Sequence, residues 1–225
     1  MSSLPQAASQ ALGWHFLSGA ASLSISADDF APRELPPCAA EAAVVLDLAG
    51  ELLDGLAAAG LAPDARWQWV AQGGGLSGAQ AQALWRGTEA QARLTLPWAA
   101  LRALAEAPDV PGLLWQATPA EHLLAQWQLD DDEVAALESG GLLLLEAPVC
   151  GRMRARGEAP EGLTWQLVSR WEQPLPAALV MGWQGPAPLP PAPCQLIEAA
   201  RPDAVRARGR LLPWGSGHAF RIDTI

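Results

Sequence analysis

From Glu41 to Ala59 the apolar residues Val44, Leu48, Leu52 and Leu56 recur every four positions, seconded by Val45 and Leu53, with Asp47, Glu51 and Asp54 opposite. That spacing lines one face of an α-helix, and Gly60 and Pro63 predict its end. Before it, residues 1–37 are small, polar and proline-punctuated, apart from an apolar island at Trp14, Phe16 and Leu17 that fits an edge strand or a docked arm. After it, Arg66 to Gln72 alternates and predicts a strand with Trp67 and Trp69 on one face. A glycine-rich loop and a short Ala/Gln-rich segment lead to a second strand at Ala92 to Leu96. Pro97 then opens a helix whose buried stripe is Trp98, Leu101 and Leu104, ending before Pro108.

Thr118, Pro119, Ala120 and Glu121 have the form of a capping box with proline at the first helical position, which predicts a helix burying Leu123, Leu124 and Trp127. Asp130 to Glu133 opens another short helix with negative charge at its positive dipole end, and Ser139, Gly140 and Gly141 stop it. Leu142 to Glu146 predicts a strand buried on both faces, or one whose outer face a partner chain covers. Beyond it the period becomes two. Arg152, Arg154 and Arg156 alternate with Met153 and Ala155, and Leu163, Trp165 and Leu167 alternate with Thr164, Gln166 and Val168. A Pro-rich insert occupies about 182–193. Val205 to Leu212 predicts an Arg-alternating strand, Pro213 to Gly217 a turn, and His218 to Ile225 a closing strand. The expected fold class is α+β, an N-terminal mixed α/β domain over 1–130 followed by a small, mostly-β domain over 131–225.

Composition narrows the chemistry. All 14 basic residues are Arg, and Lys, Asn and Tyr are absent, so no Schiff-base lysine, P-loop lysine or tyrosine acid can operate. No apolar run approaches the ~20 residues of a membrane span, and residues 1–10 carry no secretory pattern, so no membrane insertion and a cytoplasmic location are expected. Residues 1–150 hold 18 acidic and 5 Arg residues, residues 151–225 hold 6 acidic and 9 Arg. A chain at −10 overall is repelled by phosphate, which argues against a nucleic-acid partner. Cys38, Cys150 and Cys194 lie far apart and form no CxxC, the pattern of reduced, packed thiols.

The candidate chemical motifs are each incomplete. Gly73 to Gly78 matches GxGxxG formally, but about a dozen residues separate it from the second strand and no ribose-binding acid follows at the required distance. His15, His122 and His218 have no HxxxH or HxE partner, Asp130 to Glu133 lacks EF-hand spacing, and Ser216 lacks GxSxG spacing. No catalytic, cofactor or metal site is therefore expected. Most of the 11 Trp fall on a buried phase, as at Trp98, Trp127 and Trp165; Trp214, between Pro213 and Gly215, stands out as a surface anchor. The Arg stripes at Arg152, Arg154, Arg156 and at Arg206, Arg208, Arg210 are either a solvated strand face or an edge or face that meets acidic sequence, in residues 1–150 of this chain or in a partner.

Leu137 to Leu145 followed by Gly151 to Ala155 resembles the opening of the SpoA (surface presentation of antigens) domain, L-x-x-G-D-V, three hydrophobic residues and then G-x-hydrophobic; Gly140-Gly141 stands where the family carries Gly-Asp. Gly209 to Ile222 resembles the closing strands of that domain, and Leu94 to Leu104 looks like the N-terminal part of the SctQ/HrcQ family. These are the cytoplasmic-ring, or sorting-platform, proteins of type III secretion, related to flagellar motor-switch proteins. Members usually carry two SpoA domains and this chain has room for one, which implies a split-gene form or a truncated chain. The resemblance implies a non-enzymatic scaffold at the cytoplasmic base of the secretion apparatus, built by pairing with a second SpoA-domain protein in a homo- or heterodimer. It also implies contacts with the export ATPase stator, a membrane-ring adaptor and chaperone-effector complexes. Leu142, Leu143, Leu144, Leu145, Arg152, Arg154, Arg156, Arg208, Arg210 and Trp214 are the expected partner-binding residues. The alternatives are an acidic secretion chaperone or other binding module, or a small nucleotide-binding enzyme using Gly73 to Gly78.

Overall fold

The computed structural model describes residues 13–19, 21–27, 39–61, 66–70, 78–104, 108–145, 152–158, 165–182 and 193–225. Among these, strand outweighs helix, 51% to 20%, and every strand pairing is antiparallel, an α+β composition at the coarse level. The chain divides into two compact units, Met1–Gln116 and Ala117–Ile225. Residues 117–130, expected at the end of the first domain, lie with the second.

The first unit is built on a six-stranded sheet, in the order β3, β1, β2, β5, β4, β6. Its strands are β1 (Trp14–Ser18), β2 (Ala21–Ala27), β3 (Gln68–Val70), β4 (Gln80–Arg86), β5 (Ala90–Pro97) and β6 (Leu113–Trp115). The island at Trp14 is thus an interior strand paired on both sides, neither edge nor arm. The Ala/Gln-rich segment is itself a strand, β4, forming a hairpin with β5. Alternation buries Trp14, Phe16, Leu23, Ile25, Ala83, Trp85, Ala92 and Leu94 on one face.

The predicted long helix is two, α1 (Ala39–Asp47) and α2 (Gly50–Ala58), interrupted at Leu48 and Ala49. Its buried stripe is Ala42, Val45, Ala49, Leu52 and Leu56, while Val44 is 47% exposed. The expected stripe began one residue early, because alanines provide the contact surface there and leave no hydrophobic signal. Gly60, at φ 79°, closes α2: its N–H donates to Ala57 and the Leu61 N–H to Leu56, satisfying carbonyls that the helix end would orphan. As expected, β5 runs through Pro97 into α3 (Trp98–Arg102), which buries Trp98 and Leu101.

The second unit is a seven-stranded sheet in the order β8, β13, β12, β11, β10, β7, β9. The strands are β7 (Ala120–Trp127), β8 (Leu142–Leu145), β9 (Arg152–Ala155), β10 (Trp165–Arg170), β11 (Cys194–Glu198), β12 (Arg201–Trp214) and β13 (Gly217–Thr224). The helix predicted from the capping box at Thr118 is strand β7 instead, and Thr118 exchanges backbone hydrogen bonds with Leu175. The short helix at α4 (Asp131–Ala135) does carry its capping box, from Asp130 to Glu133. A further helix, α5 (Ala177–Gly182), was not anticipated; the Pro-rich insert that follows lies, at 183–192, outside the described residues.

Chain length constrains the shape of this sheet. Strands β8 and β9 occupy opposite edges, six spacings of about 4.8 Å apart, about 29 Å if flat. Only residues 146–151 join them, seven Cα steps that reach about 25 Å at full extension. A flat sheet cannot be connected this way, so the sheet must curl. Its core agrees, since a single buried cluster joins Leu145 on β8 to Phe220, Ile222, Ala207, Cys194, Leu196, Leu167 and, on β7, Leu124. The sheet packs around its own inner face, and β10, with Leu167 and Val168 both fully buried, is enclosed on both sides. Among the described residues no helix is long and apolar enough to cross a membrane.

Candidate interaction edge

Strand β8 is placed by the turn before it. The Gly140 N–H donates to the Ile222 carbonyl at 2.8 Å and the Ile222 N–H to the Gly141 carbonyl at 2.9 Å, which zips the chain onto β13. The Arg206 guanidinium also donates to the Val134 carbonyl at 3.2 Å, holding α4 against β12. Register then sets Leu142 against Arg221, Leu143 against Phe220, Leu144 against Ala219 and Leu145 against His218.

The period of two sorts the four leucines. Leu143 and Leu145 face the core cluster. Leu142 and Leu144 face out and are 40% and 55% exposed. Among the described residues the strand is therefore not buried on both faces; it is an edge whose outward leucines are exposed, and Leu142–Leu145 itself carries no Lys, Pro or charge to blunt it.

The same register extends the outer face inward from the edge. The row from Leu144 runs through Ala219 to Leu212, the row from Leu142 through Arg221 to Arg210, and Trp214 stands opposite Gly217 at the hairpin end, 53% exposed. Arg208 lies on the same alternation and is exposed. At neighbouring Gly209 the register shifts, and a side chain there would collide with the Arg221 carbonyl and sit 2.9 Å from the Phe220 ring. Close approach of β13 to this glycine leaves no room for a side chain on the inner face, and on the outer face Ala219, between Leu144 and Leu212, is buried.

Of the ten expected partner residues, Leu142, Leu144, Arg208, Arg210 and Trp214 thus share one open face. Leu143 and Leu145 lie on the opposite, inner face. Arg152, Arg154 and Arg156 belong to β9 or its end, at the far edge, and Arg154 is buried. Its Nε and Nη2 donate to Glu121 Oε1 at 2.9 and 2.7 Å, and Nη2 also donates to Gln166 Oε1 at 2.5 Å. Arg170 approaches the other Glu121 oxygen at 3.3 Å and donates to the Pro202 carbonyl. Arg154, Glu121 and Arg170 are cross-strand neighbours on β9, β7 and β10, so one fully buried carboxylate answers two guanidiniums from adjacent strands. Arg156 meets Asp203 at 2.6 Å in the open. Of the stripe at 152–156, Arg154 meets acidic sequence within residues 1–150, at Glu121, as one expectation had it, while Arg156 meets Asp203 beyond them. By unit the charge balances are −6 (11 acidic, 5 Arg) and −4 (13 acidic, 9 Arg), so the contrast read on either side of residue 150 does not separate the units.

Sequence reasoning missed Arg221 and Leu212, which complete the outer face. Their only signal is register, legible once the β12–β13 hairpin is aligned.

The other candidates are dispersed. His15 Nδ1 and Ser24 Oγ are hydrogen-bonded at 2.8 Å on the first sheet. His122 is buried edge-on to Trp171, at 5.5 Å between centroids, and desolvation holds its pKa below the ordinary 6.5. Burial pushes the Cys194 thiol up to about 11, which disfavours the nucleophilic thiolate. Cys38, Cys150 and the loop from Gly73 to Ser77 lie outside the described residues, and β4 begins at Gln80, so a strand and not a phosphate-binding helix follows the glycine-rich loop. Among the described residues no group of three or more His, Cys, Asp or Glu could hold a metal ion. Compared with protein-family models, curated proteins and solved structures, the chain matches none.

Proposed function

We propose that this chain is a non-enzymatic assembly scaffold of the SctQ/HrcQ kind, a cytoplasmic-ring protein of type III secretion that joins a second SpoA-domain protein through β8 and the face beside it. One observation carries the reading: an all-leucine edge strand with Leu142 and Leu144 bare on its outer side. Unpaired edges template pairing with another chain, and exposed apolar edges are disfavoured in proteins that stay alone. An incoming strand would extend the sheet by backbone hydrogen bonds and cover both leucines. Trp214 on the same face would supply the large amphipathic anchor that dominates many interfaces. In this reading the chain works in the cytoplasm, peripheral to the inner membrane, where the assembled ring would engage the export ATPase stator, a membrane-ring adaptor and chaperone-effector complexes.

Co-expression with the proteins encoded beside this chain tests the proposal, a small SpoA-domain protein among them being the expected partner. A co-purifying complex that is lost on Leu144→Asp, with the variant still folded, supports it. A complex that tolerates Leu142→Asp and Leu144→Asp together would move the interface elsewhere, and failure to form any complex would remove the scaffold reading.

A further inference from the structure

Beside the leucine edge the sheet carries a conflict of charge. Arg210 and Arg221 are direct cross-strand partners on the outer face, and like charges so placed repel. Both lean on one carboxylate through long contacts, Arg210 Nε to Asp223 at 3.6 Å and Arg221 Nε to Asp223 at 3.9 Å. Arg208 is exposed on the same alternation. Contrast the buried pair of guanidiniums at the other edge, where Glu121 is met at 2.7 and 3.3 Å. The outer face thus holds three cations against Asp223, in a chain that is −10 overall.

Position makes this an address for a partner. Arg221 is the neighbour of Leu142, so a strand added to β8 places an outward residue two spacings, about 9.6 Å, from Arg221 across the leucine. A guanidinium and a carboxylate can reach across that interval, above the apolar contact. Neighbouring leucines and free backbone groups on β8 suit a polypeptide strand and offer nothing to a phosphate backbone.

We infer that the occupant of this edge is a strand of a different protein that is apolar where it covers Leu142 and Leu144 and carries carboxylates where it faces Arg221 and Arg210. A second copy fits poorly, because pairing β8 with β8 would set its own Arg221 and Arg210 on the same face and bring cations where the edge calls for carboxylates. The inference rests on the reading of β8 as an assembly edge and adds the charge of what binds there.

Two synthetic peptides test it by fluorescence anisotropy against the full chain, one alternating leucine with glutamate and one alternating leucine with lysine. The acidic peptide should bind, and binding should weaken as salt rises. Arg210→Glu with Arg221→Glu should weaken it by about tenfold and bring the lysine peptide up, as expected for a few exposed ion pairs. Equal binding of both peptides, abolished in both cases by Leu144→Asp, overturns the charge inference and leaves the edge reading intact. Binding of neither peptide overturns both. Sedimentation of the chain alone should show a monomer; a dimer dissolved by Leu144→Asp makes a second copy the occupant. Tight binding of a DNA duplex that is lost with the two Arg reversals would likewise sink the inference.

Discussion

The two edges of the second sheet face the same problem and solve it differently. At β9 a charged edge is sealed: Arg154 turns inward onto Glu121, and α5 packs alongside with Ala177 and Val180 buried. At β8 an apolar edge is left open, with Leu142 and Leu144 in solvent and Arg210 and Arg221 sharing a distant carboxylate. A buried ion pair stabilises little relative to an apolar replacement, yet removing one partner is costly. An exposed leucine contributes almost nothing to the isolated fold. Composition would have assigned these roles the other way round, arginines outside and leucines inside. Among the described residues one edge is covered and the other is left bare.

The contrast can be broken first at the sealed edge. Glu121→Gln leaves Arg154 and Arg170 without their shared carboxylate and should cost about 3–5 kcal/mol, read from urea unfolding. Adding Arg154→Met should recover part of that loss; no recovery would mean that the guanidinium is not what suffers. Next comes the inner side of the open edge, where Leu145→Ala removes a buried side chain and should cost about 2–5 kcal/mol. Its outer neighbour Leu144→Asp should change stability by no more than about 0.5 kcal/mol, because the position is solvated. Equal losses at 144 and 145 would contradict the assignment of faces. The smallest effect is one of pH. His122 is buried with its pKa lowered, so the fold favours the neutral ring, while the unfolded chain takes up a proton below the ordinary 6.5. The stability it contributes is complete above that value and falls as pH drops below it. The urea midpoint of the native chain should therefore fall more between pH 7.5 and 5.5 than that of His122→Phe.

Local rules succeed here where the deciding contact is local. Asp130 to Glu133 lie within four residues, so the helix start they make was legible, as was the turn at Gly215 between alternating strands. They fail where the contact is remote. Thr118 to Glu121 satisfies a helix-start pattern, but Glu121 finds Arg154 33 residues on and Arg170 49 residues on, and a strand between its two neighbours β9 and β10 uses them better than a helix end. In the first helices, Val44 and Val45 are adjacent and equally apolar, and alanines at 42 and 49 decide the phase in favour of Val45. For the leucine strand, apolarity was visible but exposure was not, because being at an edge is a property of the sheet. The half of the expected partner set that stayed together, Leu142, Leu144, Arg208, Arg210 and Trp214, shares alternation with its strand partners. Arg154 had the same alternation and went inside, since Glu121 was waiting there.

The central claim is that β8 is an edge completed by a partner strand, and hydrogen–deuterium exchange on the chain with and without whatever partner co-expression recovers addresses it directly. Peptides spanning 142–145 should exchange readily in the free chain and become protected in the complex, while those covering β9 stay unchanged. Protection that appears at β9 and leaves 142–145 exchanging as before would contradict the claim.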